Sequence, residues 1–134
     1  MEKPVYMRII FCGDWVPTEA TVPSFEKRDT EALMGTTLSV INRADFAIAN
    51  LECALTERET PIRKCGPNLK GKPEYAHVIS EAGFTHLGLS NNHVFDFGEQ
   101  AMRDTVSAVK AVGIVPFGYT GKDHLMGSRE EGKT

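Results

Sequence analysis

The sequence predicts an α/β fold: a mainly parallel sheet with flanking helices. Two observations support this prediction. Short apolar runs typical of strands alternate with segments of helical periodicity, and polar or glycine-rich turns separate them. Strands that alternate with helices pair in parallel through right-handed crossovers.

The first half of the chain is expected to contain a strand, a loop, a helix and a second strand. The first strand is apolar and rich in β-forming residues. Gly35 weakens the prediction of the helix, because glycine disfavours helix interiors. The predicted elements are a strand over Val5–Phe11 that ends at Gly13 and Asp14, a loop over 15–28, a helix over Thr30–Ile41, and a buried strand over Phe46–Ala49 that leads to Asn50 and Glu52.

The second half is expected to continue the alternation after a long polar loop. Pro73 suits the first turn of a helix, and Gly83 and Gly113 suit helix ends. Pro116 makes the last strand short or an edge strand. The predicted elements are a loop over 56–72, a helix from Pro73 to Gly83, a strand over Thr85–Leu89, a helix over Gly98–Val112, and a strand over Ile114–Phe117.

Composition indicates one ordinary globular domain. The chain has 134 residues, of which 41% are hydrophobic and 25% charged. Its formal net charge of −3 and the lack of a dense basic patch give no support for nucleic acid or an anionic membrane as a partner. No apolar run is long enough to span a bilayer.

Targeting and redox signals favour the cytoplasm. The start of the chain, Met1 to Pro4, leads directly into a predicted strand and lacks the apolar region of a signal peptide. The three cysteines are odd in number and have no CxxC spacing, so we expect no disulfide framework. They are Cys12, Cys53 and Cys65.

Polar side chains follow three of the predicted strands. Asp14 follows the first, Asn50 and Glu52 follow the second, and Asn92 and His93 follow the third. The carboxyl ends of parallel strands meet at one edge of a sheet, so we expect these groups to converge. Carboxylates, an amide and an imidazole suit Mn, Mg, Fe or Zn, and such an ion activates water and stabilises charge on a phosphoryl group.

The same stretch predicts proton-transfer chemistry. His93 is placed to protonate a leaving oxygen, and Asp96 is close enough in sequence to orient it. Each site residue also has a structural alternative. Asp14 suits a turn or a helix cap, and Glu52 suits a solvated loop. Asn92 and His93 suit a hydrogen-bonded turn, and Asp96 suits a helix cap. Outside the site, His77 is expected to be exposed, and His86 and the cysteines are expected to be structural.

One motif near the end of the chain is interpreted as a false match. Gly127–Thr134 fits the phosphate-loop pattern GxxxxGK[ST]. That pattern needs a strand before it and a helix after it, and here no convincing strand precedes the motif. Two glutamates inside the loop, Glu130 and Glu131, would also repel phosphate.

Three motifs occur together in a specific order and spacing. Gly13-Asp14 comes first, Ala49–Thr56 (ANLECALT) second and Asn91–Gly98 (NNHVFDFG) last, with Glu81–Phe84 (EAGF) before the third. Jointly they resemble the CapA-like family, whose members are named for capsule or poly-gamma-glutamate synthesis. The resemblance runs from about Met7 to Gly118, most of the chain.

The resemblance implies the first half of a calcineurin-like metallophosphoesterase fold, a two-sheet αββα sandwich. It implies that Asp14, Glu52 and Asn92 ligate a divalent metal (Mn, Zn, Fe or Mg, with two ions in a complete site). His93 would be the acid that faces phosphate, and Asp96 would steady it. We assign substrate contacts to two asparagines, Asn50 and Asn91.

The chain also departs from the family pattern. Members are roughly twice this length or more, and their second half carries a His-Trp-Gly-like and a Gly-His-x-x-His-like segment. Here the only later histidine is His124, and we expect the N-terminal membrane anchor of many members to be lacking. We therefore expect a partial domain over 1–118, a flexible or truncated tail over 119–134, and half of a metal site.

Three functional hypotheses follow. The leading one is metal-assisted hydrolysis or transfer at a phosphoryl or acyl-phosphate group of a phosphorylated or polyglutamate-related substrate. The second is a non-catalytic binding or assembly subunit for polyglutamate synthesis. The third is a truncated product whose uncovered apolar face invites self-association or a complementing chain.

Overall fold

Six strands and five helices follow one another along residues 1–119, the part of the chain that the computed structural model describes. The strands are β1 (Ile9–Trp15), β2 (Phe46–Leu51), β3 (Ala54–Leu55), β4 (Lys70–Gly71), β5 (His86–Gly88) and β6 (Val115–Phe117). The helices are α1 (Val22–Glu26), α2 (Thr30–Met34), α3 (Leu38–Asn42), α4 (Tyr75–Glu81) and α5 (Glu99–Ala111), with a 3-10 turn over Gly35–Thr37. From residue 120 on, the predicted tail, His124 and the phosphate-loop-like motif lie outside the described residues.

Four strands form the main sheet in the order β1-β2-β5-β6, and every neighbouring pair is parallel. This confirms the predicted α/β class with a mainly parallel sheet. The order follows the chain without reversal, so right-handed crossovers place all connecting helices on one face of the sheet. The arrangement is consistent with the first half of a metallophosphoesterase-like sandwich.

The face that the helices cover forms the core. Ala47, Ala49 and Leu87 extend into it from β2 and β5, and Ile79 and Met102 reach it from α4 and α5. Burying a side chain the size of Leu or Ile stabilises the fold by about 1.5–3 kcal/mol. This packing fixes the strand ends relative to one another, and the candidate site depends on those positions.

The opposite face of the sheet is left partly open. Phe11, Ile48, His86 and Val115 are neighbours in one row across the four strands. The two central residues are buried, and Phe46 stacks near His86 with ring centroids 5.5 Å apart. At the ends of the row, Phe11 is 74% and Val115 40% exposed, so this face presents apolar surface to solvent.

A β-bulge in β1 sets the direction of its last residues. Phe11 pairs with Ile48 and Asp14 with Asn50, so β1 advances three residues while β2 advances two. The extra residue reverses the alternation of faces beyond Gly13. Without it, Asp14 would occupy a position that faces the helix-covered core.

The first strand lies further along the chain than predicted. It begins four residues later, at Ile9, and Val5 is 98% exposed outside the sheet. Its other end extends to Trp15, which is buried in edge-to-face contacts with Phe25 and Phe84 at 5.6 and 5.4 Å between ring centroids. The expectation that the first strand ends at Phe11 is therefore wrong, and Asp14 lies inside β1.

The helical region before β2 also differs from its prediction. The single helix expected over Thr30–Ile41 is divided by the 3-10 turn, because Gly35 adopts φ 54° and ψ −137°, which no helix continues. The segment 15–28, expected to be a loop, contains the short helix α1, with Pro23 in its first turn. Similarly, Asn50 lies inside β2 rather than after it.

The remaining elements agree better with the sequence signals. Gly83 and Gly113 follow α4 and α5 with φ of 103° and 80°, the left-handed conformation that ends helices. Strand β6 is short and lies at the sheet edge, as Pro116 predicts. The predicted loop over 56–72 includes β4, which pairs with β3 in a separate two-stranded sheet.

Within residues 1–119, no helix is long and apolar enough to cross a bilayer.

Candidate functional site

Side chains from three chain segments form a hydrogen-bonded row at the carboxyl edge of the sheet. The amide nitrogen of Asn50 donates to Oδ1 of Asp14 over 2.8 Å. The amide oxygen of Asn50 accepts from the amide nitrogen of Asn91 over 3.1 Å. The row runs from β1 through β2 to the turn after β5, so the sheet brings these sequence-predicted residues together.

Asn91 shapes the turn that follows β5. Its amide nitrogen donates to the carbonyl of Leu51 over 2.8 Å, and its oxygen accepts the backbone N–H groups of His93 and Val94, each over 3.0 Å. An Asn side chain bonded to the backbone two residues on is a recurrent way to stabilise a turn. The substrate contacts predicted for Asn91 and Asn50 stay predictions, and in the structure both amides hold the site together.

Asp14 and Glu52 form a carboxyl pair. Hydrogen bonds from Asn50 and from the Glu52 carboxyl hold the pKa of Asp14 below its ordinary value. The hydrogen bond to Asp14, burial and the charge of Asp14 raise the pKa of Glu52, and the nearby charge of His93 acts in the opposite direction. A cation held between the two carboxylates would relieve their mutual repulsion.

His93 is held by a buried carboxylate. Its ring nitrogen Nδ1 lies 2.7 Å from Oδ2 of Asp96, whose side chain is fully buried, while the His93 side chain is 11% exposed. Burial opposes ionisation of Asp96, but bonds from Lys64, His93 and the Leu69 N–H together hold its pKa below the ordinary range. A charged Asp96 makes Nδ1 the protonated nitrogen and leaves Nε2 for proton transfer.

Lys64 is a site residue that the sequence prediction missed. Its ammonium nitrogen donates to Oδ1 of Asp96 and, over 3.2 Å, to the carbonyl of Asn92. It comes from the long polar loop between β3 and β4. The only sequence signal was the length of that loop, since long loops are often functional, and nothing in the spacing pointed to this lysine.

The metal ligands predicted from sequence are partly assembled. Asn92 has an exposed side chain on the turn that carries His93, and Asp14 and Glu52 provide two adjacent carboxyl groups. Residues 1–119 contain no cluster of three or more His, Cys, Asp or Glu side chains arranged to hold an ion. The described donors therefore fit part of a divalent-metal site, and their metal roles stay predictions.

His77, His86 and the three cysteines are not members of the hydrogen-bonded row. His77 is exposed on α4, and His86 is buried in the sheet with Nδ1 2.8 Å from Oγ1 of Thr85. All three cysteines are free. Cys53 is buried next to Glu52, and burial raises the pKa of its thiol to about 12, so it is neither a nucleophile nor a metal-binding thiolate in this state.

The fold and the site define an α/β domain whose polar site lies at the carboxyl edge of a parallel sheet. The chain belongs to the bacterial capsule synthesis protein family PGA_cap, whose family model matches residues 8–128. The resemblance drawn from the three motifs is thereby confirmed.

Two curated proteins illustrate the relationship. The chain is 27% identical over 136 aligned residues to the capsule biosynthesis protein CapA of Bacillus anthracis, which covers 80% of this chain and 33% of that protein. It is 25% identical over 116 residues to the PGA biosynthesis protein CapA of Bacillus subtilis (strain 168), which covers 84% of this chain and 30% of that protein. The chain thus spans about a third of the length of these relatives.

Proposed function

We propose that this chain contributes part of a metal-dependent site that acts on a phosphoryl or acyl-phosphate group during capsule or polyglutamate synthesis. The observation that carries the proposal is the adjacency of the Asp14 and Glu52 carboxyl groups, near His93 and at the carboxyl edge of a parallel sheet. Family membership supports the biological setting. The chemistry is inferred from the residues.

The proposed ion is Mn, Zn, Fe or Mg. Asp14, Glu52 and Asn92 would hold it, because oxygen donors of this kind suit such cations. When bound, the ion would supply charge stabilisation and an activated water. A complete site, with one ion or two, would take its remaining ligands from polypeptide beyond this chain or from a second chain.

His93 is the proposed proton donor. Asp96 fixes the ring through Nδ1, so Nε2 is the nitrogen that would deliver a proton to the leaving oxygen. The exposed fraction of His93 is small, which limits competition from bulk water. The proposed substrate is a phosphorylated or polyglutamate-related molecule, and a reducing cytoplasm, suggested by the odd number of cysteines, is the proposed location.

A second candidate function is non-catalytic. The described residues hold no cluster of three or more acidic, histidine or cysteine side chains, which favours a subunit that binds or assembles without turnover. In this reading the same residues form a binding edge for a partner of the synthesis machinery. Asp14 and Glu52 then act as hydrogen-bonding groups rather than as metal ligands.

Metal titration tests the leading proposal. We expect calorimetry with Mn²⁺, Zn²⁺ and Mg²⁺ to show binding that Asp14→Asn and Glu52→Gln each weaken by about tenfold or more. Glu31→Gln, an exposed carboxylate on α2, is the matched control and should leave binding unchanged. If none of the ions binds, or all variants bind equally, the metal assignment is wrong.

Turnover assays separate the two candidates. We expect the metal-loaded chain alone to hydrolyse a chromogenic phosphodiester or phosphomonoester weakly or not at all, and faster once longer polypeptide or a second chain supplies the remaining ligands. In that complete site, His93→Ala should lower kcat by about 100-fold or more with little change in KM. Binding of polyglutamate without turnover, unaffected by His93→Ala, would instead support the non-catalytic reading. Circular dichroism of each variant shows whether the fold is retained.

A further inference from the structure

The loop between β3 and β4 is fastened to the turn that carries His93. Its Lys64 side chain is only 17% exposed although lysine usually extends into solvent. The ammonium nitrogen bonds Oδ1 of Asp96 and the carbonyl of Asn92, and lies 3.2 Å from Nδ1 of His93. A lysine buried this far marks a specific electrostatic role.

Asp96 is the point where loop and turn meet. Its carboxylate accepts from Lys64, from the Leu69 N–H over 2.7 Å and from His93. Its backbone carbonyl accepts the Ile62 N–H over 2.8 Å. Three of these four donors come from the loop, so a single buried residue holds both the loop and the imidazole.

The ammonium nitrogen of Lys64 lies close to Nδ1 of His93, and this distance restricts which of the two groups can accept a hydrogen bond. A lysine ammonium is only a donor, and Nδ1 of His93 is a donor whenever it bonds the charged Asp96. Two donors form no hydrogen bond with each other, so both converge on the carboxylate. Lys64 therefore balances the charge of Asp96, and the lysine and the imidazole hold the carboxylate from its two oxygens.

We propose that Lys64 is a positioning residue that acts through Asp96. It holds the segment 62–69 against the site and, through the Asp96 carboxylate, fixes the orientation of the His93 ring. The inference rests on the proposed function only in giving His93 a chemical task. The arrangement itself is a property of the folded protein without metal or substrate.

Histidine NMR on the metal-free protein tests the proposal. Chelator-treated protein labelled with ¹⁵N-histidine is examined at about pH 8, above the ordinary imidazole range. We expect His93 of the wild type to show an Nδ1–H signal that its bond to Asp96 protects from exchange with solvent. Lys64→Met should speed the exchange of this signal and shift the ring resonances, because the loop then no longer holds Asp96 in place, and Lys64→Arg, which retains the charge, should restore them at least in part.

Lys70, the first residue of β4 after the same loop, gives a matched control. Lys70 bonds the carbonyl of Arg58 and the carboxylate of Glu59 and lies over the ring of Phe97, without contacting Asp96. Lys70→Met should leave the His93 ring resonances unchanged. Equal effects of Lys64→Met and Lys70→Met would overturn the proposal, because the effect would then not be specific to the lysine that contacts Asp96.

Amide hydrogen exchange provides a second measurement. In Lys64→Met we expect the N–H groups of Ile62 and Leu69 to exchange about tenfold faster or more, since both bond Asp96. Faster exchange with an unchanged His93 spectrum would make Lys64 a structural anchor and contradict its positioning role.

If Lys64→Met does not fold, Lys64→Gln gives the same comparison, and an unchanged His93 spectrum there overturns the proposal. Because no metal is present, failure of metal binding or turnover leaves this test unaffected.

Discussion

Asp14 lies directly opposite Asn50 in the parallel register of β1 and β2, and the asparagine amide donates to its carboxylate over 2.8 Å. This pairing exists because β1 contains one more residue than β2 between Phe11 and Asp14. The candidate site therefore depends on a local irregularity of the sheet as well as on residue types.

The bulge gives the first prediction. Cys12 and Asp14 would share a face in an unbulged strand, but the bulge leaves Cys12 packed against the core and Asp14 exposed. Cys12→Asp should therefore place a carboxylate against the core and lower the free energy of unfolding in urea by about 2 kcal/mol or more. Asp14→Ala is the control, and its effect should stay within about 1 kcal/mol. Similar losses for the two variants would contradict the reversal of faces at the bulge.

The two faces of the sheet should differ in their tolerance of substitution. Trp15 is 7% exposed and packs edge-to-face on Phe25 and Phe84, so Trp15→Ala should destabilise by about 3–5 kcal/mol. Phe11 is 74% exposed on the open face, and Phe11→Ala should cost less than about 1 kcal/mol. Equilibrium unfolding in urea measures both. Similar losses would mean that the open face is packed in solution.

The open face should cause association of the isolated chain. Phe11 and Val115 leave apolar surface uncovered at the two ends of one row, and exposed apolar surface of this kind favours self-association. Light scattering should show a mass that rises with concentration and that Phe11→Lys lowers. Val40→Lys, at a 49% exposed apolar position on α3, is the matched control and should leave the mass unchanged. A monomer at all concentrations would contradict this prediction.

Acid should destabilise the protein partly through Asp96. Its folded pKa lies below the unfolded value of about 3.9, so below that value the unfolded chain binds more protons and stability falls. The contribution is fully present above the unfolded pKa and is lost as pH falls through the folded pKa. Asp96→Asn should lose about 3 kcal/mol or more at pH 7, because it leaves Lys64 without its buried partner.

Unfolding in urea at a series of pH values measures this effect. We expect the difference between wild type and Asp96→Asn to shrink as the pH drops below about 4. Glu31→Gln, an exposed carboxylate on α2, should run parallel to the wild type over the same range. A difference that stays constant down to pH 2 would show that the charge of Asp96 does not stabilise the fold.

Much of the framework could be predicted from residue patterns. Apolar runs and glycine helix ends are local signals, so the alternation of strands and helices and the parallel class follow from them. The position of Asn50, Glu52, Asn91 and His93 near strand ends follows in the same way. The bounds of β1 could not be predicted, because contacts of Trp15 with distant rings extend it past Gly13.

The site residues on the turn after β5 could be predicted from the sequence, but many of the hydrogen bonds that join them to other segments could not. Asp96 lies three residues after His93, and a pair at that spacing in a turn can be anticipated. Lys64 lies 32 residues before Asp96 in a loop without periodicity, so no local pattern connects the two. The internal use of the Asn91 amide depends on Leu51 and Asn50, which only the folded sheet brings near.

The sequence by itself determined the α/β class, the family and the residue types available at the carboxyl edge, because these depend on short-range patterns and motif order. Only the tertiary structure decided that a bulge turns Asp14 towards Asn50, that one face of the sheet stays open and that Lys64 joins His93 through Asp96. These features arise from strand register, the handedness of crossovers and contacts between distant segments, which are properties of the assembled chain.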